Sequence, residues 1–332
     1  VPEIEAYGME WADVYLGLRG AHNLYEHADI PANVLSANQS AMGKVSTQRW
    51  EKTRWCVIRV PNASMAQQAE IPSPEEYFGH RMGADRQLVG WERLVEYYEM
   101  LGQSSDRIIV ETVGQSTLGR PFLVIWVSSP ANLAQLDDIK RWNDILSDPR
   151  GHTDAQVDEA IENGKVVFLQ GYALHSTEVA ASQSAAEIMY HFATRTDEEM
   201  MQILDETVSI LVPGMNPDGN IIVTDWYDRW VGTEYEGGGP PELYHHYIGH
   251  DNNRDAFMQN TVESQYVAEL LFREWVPQAF IDHHQMGAFT ARISLPPYAE
   301  PIRPGGDPLV WREMAWYGAC LLYTSDAADD SV

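Results

Sequence analysis

The sequence contains few cysteines, few basic residues and no long apolar run. Its 332 residues include only two cysteines, Cys56 and Cys320, so neither a disulfide framework nor a thiolate metal site is expected. Lysine and arginine together number 22 against 49 aspartates and glutamates, which gives a net charge of −27. Because nucleic acids and anionic membrane surfaces bind basic faces, we expect neither as a partner. No apolar run reaches the length of a membrane span.

What the sequence does contain is typical of a folded α/β protein. Hydrophobic residues make up 44% of the chain, enough for a sizeable core. Strand patterns alternate with helical ones, which predicts a mixed, mostly parallel sheet covered by helices on both faces. A glycine-containing turn at 114–121 predicts a hairpin toward one edge, and 220–260 is predicted to be irregular. The predicted strands are 107–113, 122–128, 166–169, 208–212 and 278–284.

The composition divides the chain into three parts. Residues 1–69 show little periodicity, so we expect a poorly structured lead-in or a foreign segment, ending near Ile71-Pro72-Ser73-Pro74. Residues 70–319 hold the α/β pattern, and 320–332 resemble a translated sequencing adapter, which predicts a non-native tail. The small-residue run Ala63-Ser64-Met65-Ala66 resembles a signal-peptide cleavage region, with an ordinary loop as the alternative. The compartment therefore stays open, with a secreted or periplasmic location preferred.

A histidine and a glutamate follow the buried strand at 166–169. In His175-x-x-Glu178 the two side chains lie where a strand gives way to a helix, at the edge of the sheet where α/β proteins place their sites. An imidazole and a carboxylate are two of the three protein ligands of a catalytic zinc site. The alternative is a solvated pair at the start of a helix.

The last predicted strand offers the third ligand. His283 and His284 point to opposite faces because side chains alternate along a strand, so only one of them can join the site. The other is expected to be a packed structural histidine. Asp282 shares a face with His284 and could orient its ring.

Five motifs, in this order along residues 70 to about 318, resemble the zinc carboxypeptidases of the carboxypeptidase A type. The resemblance favours His284 over His283 and implies one Zn²⁺ ion held by His175, Glu178 and His284. It also implies a zinc carboxypeptidase-like catalytic domain at 70–319, incomplete at its C-terminus. The motifs are Gly114-x-Ser116-x-x-Gly119-Arg120-Pro121, His175-x-x-Glu178, Asn216-Pro217-Asp218-Gly219, Asn253-Arg254 and Asp282-x-His284.

The resemblance implies a hydrolase that cleaves C-terminal residues from peptides with metal-activated water. Asn253 and Arg254 are expected to bind the free C-terminal carboxylate of the substrate, since a guanidinium binds a carboxylate bidentately. The alternative for Arg254 is a salt bridge to Asp251 or Asp255. Arg229 is the candidate for stabilising the tetrahedral oxyanion.

The sequence also departs from the family pattern. Thr177 stands where the family commonly has an arginine, so one substrate contact is lost or supplied elsewhere. The general-base glutamate of the family follows the third ligand by some tens of residues. Glu300 lies in a proline-rich loop and Glu313 in a predicted helix at 309–322, so neither fits. We expect the base to lie beyond the end of this chain, and the fragment to bind zinc but to be inactive.

Several other functions use the same ligand set. A zinc amidohydrolase or deacylase, a cell-wall peptide hydrolase and a non-catalytic zinc-binding pseudopeptidase all remain alternatives. A further alternative is a purely structural α/β domain, which would bind no stoichiometric zinc. His245, His246 and His250 could suggest a second metal site, but we expect them to line or pack the loop leading to Arg254.

Overall fold

The computed structural model describes residues 14–19, 54–59, 71–287 and 307–329. Contacts divide the chain into two units, Val1–Glu70 and Ile71–Val332. In the first unit, strands β1 (Val14–Arg19) and β2 (Arg54–Arg59) pair in parallel. That residues 1–69 are a lead-in or a foreign segment stays a prediction, and the run at 63–66 lies outside the described residues.

The second unit contains one five-stranded sheet. Its strands are β3 (Ile108–Gln115), β4 (Pro121–Val127), β5 (Val166–Tyr172), β6 (Thr207–Val212) and β7 (Ala279–His283), in the order β3-β4-β6-β5-β7. The β3–β4 and β4–β6 pairs are antiparallel, whereas β6–β5 and β5–β7 are parallel. The predicted mixed sheet and its edge hairpin are confirmed, although only two of the four strand pairings described in this sheet are parallel.

Helices cover both faces of this sheet, as predicted. The helices are α1 (Pro74–Phe78), α2 (Trp91–Ser104), α3 (Pro130–Leu133), α4 (Leu136–Ser147), α5 (Asp154–Asn163), α6 (Val179–Thr194), α7 (Glu198–Glu206), α8 (Pro217–Trp230), α9 (Asn252–Met258), α10 (Val262–Glu269) and α11 (Pro308–Asp329). Alternate residues of β4 pack into two separate cores. Leu123 and Ile125 lie with α2, α6 and α7, while Val124 and Trp126 lie with α4 and α5.

The prediction of an irregular segment at 220–260 was wrong for two stretches, since α8 and α9 lie there. Helix α8 begins inside the Asn-Pro-Asp-Gly motif. The side chain of Asn216 caps the helix by accepting a hydrogen bond of 2.9 Å from the N–H of Gly219. Pro217 occupies the first turn, where its missing N–H costs nothing, and the charge of Asp218 suits that end of the helix. The motif is therefore a helix start as well as a turn.

The same motif joins α8 to the β3–β4 hairpin. Asp218 is buried, and its carboxylate accepts hydrogen bonds from the hydroxyl of Ser116 at 2.6 Å and the N–H of Leu118 at 2.8 Å. The guanidinium of Arg120 donates a third at 3.2 Å. Two motifs that are 102 residues apart in sequence thus form one contact.

The helix predicted at 309–322 is confirmed by α11. Its backbone runs through residues 320–329, so part of the predicted non-native tail is helical, while the origin of that tail stays a prediction. Among the described parts of the chain, no helix combines the length and the apolar character needed to cross a membrane.

Candidate metal centre and substrate cleft

His175 and Glu178 lie in a tight turn between β5 and α6. The turn follows Ala173, which has a positive φ of 55°, and the N–H of Glu178 donates to the carbonyl of His175 at 2.9 Å. His175 is buried, and its Nδ1 lies 2.9 Å from Oε1 of Glu178. The i, i+3 spacing therefore directs both side chains to one point.

His284 reaches the same point from the neighbouring strand. Because β5 and β7 are parallel, their C-terminal ends lie side by side, with Tyr172 paired to His283. Nδ1 of His284 lies 2.9 Å from Oε2 of Glu178, and Nε2 lies 2.9 Å from Oδ2 of Asp282. The contact expected between Asp282 and the ring of His284 is thus present.

The three side chains fit a zinc-sized ion. One ligand atom from each of His175, Glu178 and His284 lies within 4.8 Å of the others. Zinc bonds of about 2.0–2.2 Å in a tetrahedral arrangement place ligand atoms roughly 3.3 Å apart. In both histidines the same nitrogen, Nδ1, faces the carboxylate. A small movement of the three side chains toward a bound cation would bring their ligand atoms to the spacing of a zinc site.

His283 is a structural residue, as its position on the opposite face of the strand predicted. Its ring stacks on Tyr172 with 4.1 Å between ring centroids, and its Nδ1 lies 3.0 Å from the carbonyl oxygen of Gly171. Burial lowers its pKa below the usual histidine range, which favours the neutral ring.

The charges around the group favour a cation. A hydrogen bond to Asp282 raises the pKa of His284 to about 9 against the opposing effect of burial, and Glu178 adds to the rise. Burial acts to raise the pKa of Glu178, but the N–H of Gln285 and the two imidazoles lower it below its usual value. Glu178 faces Nδ1 of His284, whereas Asp282 faces Nε2, so a cation bound at Nδ1 would displace a proton there and leave the contact with Asp282 in place.

Asn253 and Arg254 lie on α9 beside the group. Nδ2 of Asn253 is 3.5 Å from Nε2 of His284. Arg254 is exposed and forms no ion pair or hydrogen bond with any residue in the described ranges. Asp255 is engaged elsewhere: burial acts to raise its pKa, but N–H groups of Asn260 and Thr261 lower it to about 2. The alternative of a structural salt bridge at Arg254 is therefore not observed.

Arg229 lies at the end of α8 opposite to the end that contacts the turn of His175. The start of α8 contacts the group through Ser176, whose hydroxyl is 3.4 Å from the carbonyl oxygen of Asn216. Arg229 is in the last turn of α8, about 18 Å further along at 1.5 Å per residue. Its guanidinium lies 5.9 Å from the ring centroid of Trp226. Its assignment as an oxyanion ligand stays a prediction.

A cleft of about 740 Å³ adjoins the metal group. Thr177, Val179 and Gln285, the residues around Glu178, form one of its walls. Further lining comes from the following parts of α6 and α8 and from the loops at 82–88 and 237–240. The helix residues are Ala180, Gln183, Ser184, Glu187, Val223, Trp226 and Tyr227. Thr177 therefore faces open space at the position where the family resemblance leads one to expect an arginine.

His250 is a member of the site that the sequence did not identify. Its ring stacks on that of His175, with 3.9 Å between centroids and 27° between planes. The sequence assigned it to loop packing, because no spacing pattern connects residue 250 to residue 175. Its one available signal was proximity to Asn253-Arg254.

A comparison with protein families identifies the family of this chain. The family model for zinc carboxypeptidases matches residues 94–289, more than half of the chain. The chain therefore belongs to the zinc carboxypeptidase family, a family of zinc-dependent enzymes. The match spans both the His175-x-x-Glu178 and Asp282-x-His284 motifs.

Several solved structures are similar to this chain. Carboxypeptidase A from Helicoverpa armigera shares 14% identity at a TM-score of 0.39, over 61% of this chain and 47% of that one. A metallo-carboxypeptidase from Burkholderia cenocepacia shares 16% identity at a TM-score of 0.41, over 60% of this chain and 41% of that one. A metallo-carboxypeptidase from Pseudomonas aeruginosa shares 20% identity at a TM-score of 0.36, over 59% of this chain and 38% of that one. Its structure was solved in complex with (2-guanidinoethylmercapto)succinic acid. The chain thus spans less than half of each. No curated protein matches it.

Proposed function

We propose that this chain carries the zinc-binding part of a metallocarboxypeptidase that removes C-terminal residues from peptides. The observation that supports it most directly is the convergence of His175, Glu178 and His284 next to an open cleft. The three residues come from two adjacent strand ends, where a parallel pair in an α/β sheet presents its functional groups.

His175 and His284 would hold the zinc ion through Nδ1, and Glu178 through its carboxylate. When bound at such a site, zinc polarises a carbonyl group and lowers the pKa of a bound water to about 7. The protein fixes this geometry with contacts outside the ligand set. Asp282 orients the ring of His284, and the N–H of Gln285 holds Oε2 of Glu178 at 2.8 Å.

The cleft would receive the peptide, and Arg254 its C-terminal carboxylate. Arg254 is exposed and unpaired among the described residues, so its guanidinium is available without breaking an existing ion pair. Asn253 precedes it and contacts His284, so a carboxylate bound by this pair would lie close to the metal group. The buried carboxylate of Asp255 fixes this segment by accepting hydrogen bonds from Asn260 and Thr261.

We expect the chain as printed to bind zinc without measurable peptidase turnover. Hydrolysis of an amide needs a base that takes a proton from the attacking water, and Glu178 is committed to the metal. Glu313 is exposed on α11 and pairs with Arg312 at 2.8 Å, and Glu300 lies outside the described residues. Release of amino acids from blocked dipeptides is the measurement. Turnover that a chelator abolishes would contradict this expectation.

Carboxylate recognition can be tested by binding alone. An N-blocked dipeptide with a free C-terminus should bind the zinc-loaded chain, and Arg254→Ala should weaken binding about 10- to 100-fold, since a charge-assisted hydrogen bond contributes roughly 1.5–3 kcal/mol. Arg254→Lys should recover only part of the loss, because lysine lacks the bidentate geometry. Calorimetry measures both.

Two controls make this test specific. Arg150→Ala removes another exposed arginine, one that pairs with Asp148 at 2.6 Å in the loop between α4 and α5, so it should bind as the parent does. The amidated peptide should bind the parent and Arg254→Ala equally weakly. If Arg254→Ala retains full affinity for the free acid, the assignment of Arg254 is wrong.

A further inference from the structure

Three aromatic side chains line a recess of about 390 Å³ at the C-terminal end of α8. Trp226 and Trp230 lie one helical turn apart, with 5.6 Å between ring centroids and 60° between planes. Tyr235, in the loop after the helix, packs edge-on against Trp230 at 5.2 Å and 73°, and 58% of it is exposed. The guanidinium of Arg229 lies 5.9 Å from the centroid of Trp226, a distance at which a cation and a ring attract each other.

Hydrogen bonds hold the loop that completes this recess. The indole N–H of Trp226 donates to the carbonyl oxygen of Gly238 at 2.8 Å. The carboxylate of Glu236 accepts from the N–H of Gly232 at 2.9 Å and pairs with Arg86 at 3.0 Å. Because the loop is joined both to α8 and to the loop at 82–88, the recess is a fixed feature of the fold.

Carboxylates accompany the aromatic rings. Glu234 and Glu236 both line the recess. A backbone N–H lowers the pKa of Glu236, and Arg86 offsets its charge. Glu234 is exposed and forms no ion pair or hydrogen bond within the ranges that the structure describes. On α8, partial loss of solvent and the like charge of Asp225 raise the pKa of Asp228, so negative charge accumulates at this end of the helix.

The recess continues the substrate cleft, since Trp226 and Gly238 line both. The cleft reaches the metal group at Thr177, next to the turn that the start of α8 contacts. Trp226 lies roughly 13 Å along α8 from that start, at 1.5 Å per residue. An extended peptide covers about 3.3 Å per residue, so about four residues separate the metal group from the recess.

We propose that this recess binds the cationic side chain of a lysine or arginine in the peptide that occupies the cleft, at the fourth or fifth residue from its C-terminus. The rings of Trp226, Trp230 and Tyr235 contact the cation and its methylene groups, and Glu234 supplies the opposite charge. The inference rests on the proposed function, because that function places a peptide in the cleft. The recess then selects among peptides separately from Arg254.

Binding of blocked hexapeptides to the zinc-loaded chain tests the position and the charge. One arginine is moved from the second to the sixth residue, counted from a free C-terminus, in an otherwise neutral peptide. Calorimetry should show an affinity about 5- to 30-fold above that of the neutral peptide at the fourth or fifth position, the effect of a cation–π contact with an exposed ion pair. Citrulline, which is neutral and has nearly the same shape, should give no gain there.

The variants are judged by the ratio of affinities for the arginine peptide and the neutral peptide. Glu234→Gln and Tyr235→Leu should each bring this ratio to within about twofold of one, whereas Tyr235→Phe keeps the ring and should keep the ratio. Glu162→Gln is the matched control and should also keep it. Glu162 is exposed in the last turn of α5, and α5 packs on the other face of the sheet from α8.

Three results would overturn the inference. A gain of equal size at every position would assign it to the net charge of −27 and not to the recess. Equal gains from citrulline and arginine would show that the recess does not select a cation. A ratio that stays parental in both Glu234→Gln and Tyr235→Leu would place the cation elsewhere. Failure of the proposed function looks different, because the parent itself would then bind zinc no better than Glu178→Ala.

Discussion

Glu178→Ala should bind zinc about 100- to 1,000-fold more weakly than the parent, so that it purifies without stoichiometric metal. A structural zinc site contributes on the order of 10 kcal/mol of binding free energy, and Glu178 is one of three protein ligands. It is also the residue that joins the other two, with Oε1 at 2.9 Å from His175 and Oε2 at 2.9 Å from His284. His175→Ala combined with Glu178→Ala should leave no specific site.

Metal content of the purified proteins and calorimetric titration with Zn²⁺ measure this loss. Thr177→Ala is the matched control, since Thr177 is exposed in the adjacent turn position and has no role among the ligands. Thermal unfolding of the metal-free proteins shows whether the loss arises at the site or from the fold. Equal zinc in the parent and in Glu178→Ala would remove the proposed site and leave only an acidic α/β domain of this family.

Asp218→Ala should lower the free energy of unfolding by about 3–5 kcal/mol, because it leaves the hydroxyl of Ser116 and the N–H of Leu118 without their acceptor. The guanidinium of Arg120 keeps a second partner, Glu92, at 3.2 Å. The side chain of Asp218 is 1% exposed, and its three donors come from the hairpin turn at Ser116, Leu118 and Arg120. The pair with Arg120 is only partly shielded, since that side chain is 26% exposed, so the buried hydrogen bonds carry most of the loss. Urea denaturation measures the change.

A surface pair of the same charges is the control for this prediction. Arg141 and Asp138 lie 3.1 Å apart on α4, with side chains 51% and 57% exposed. Asp138→Ala should cost less than about 1 kcal/mol. Arg120→Ala in the Asp218→Ala background should cost less than Arg120→Ala alone, because the partner is already gone. A loss at Asp218 no larger than that at Asp138 would show that the hairpin does not depend on this contact.

Much of the fold and three site residues could be predicted because their signals are local. Strand positions followed from short apolar runs, and the choice between His283 and His284 from side-chain alternation together with the family resemblance. Helix α8 was not predicted, although the sequence contains its capping residue, Asn216. Pro217 and Gly219 were interpreted as residues of a turn and not as the start of a helix. The family match over 94–289 confirms the resemblance that the motifs indicated.

The sequence by itself determined what each segment is and which chemistry it carries. The hydrophobic repeats of strands and helices, with periods of two and 3.6 residues, depend only on residues that are close in sequence. The same holds for helix caps and for short motif spacings. Only the tertiary structure decided which distant segments meet: Glu178 with His284 across 106 residues, Ser116 with Asp218 across 102, and His250 against His175. Such contacts depend on strand order and packing, which no local pattern encodes. That is why the three residues of the metal group could be named as candidates from the sequence, whereas the ring that stacks on His175 could not.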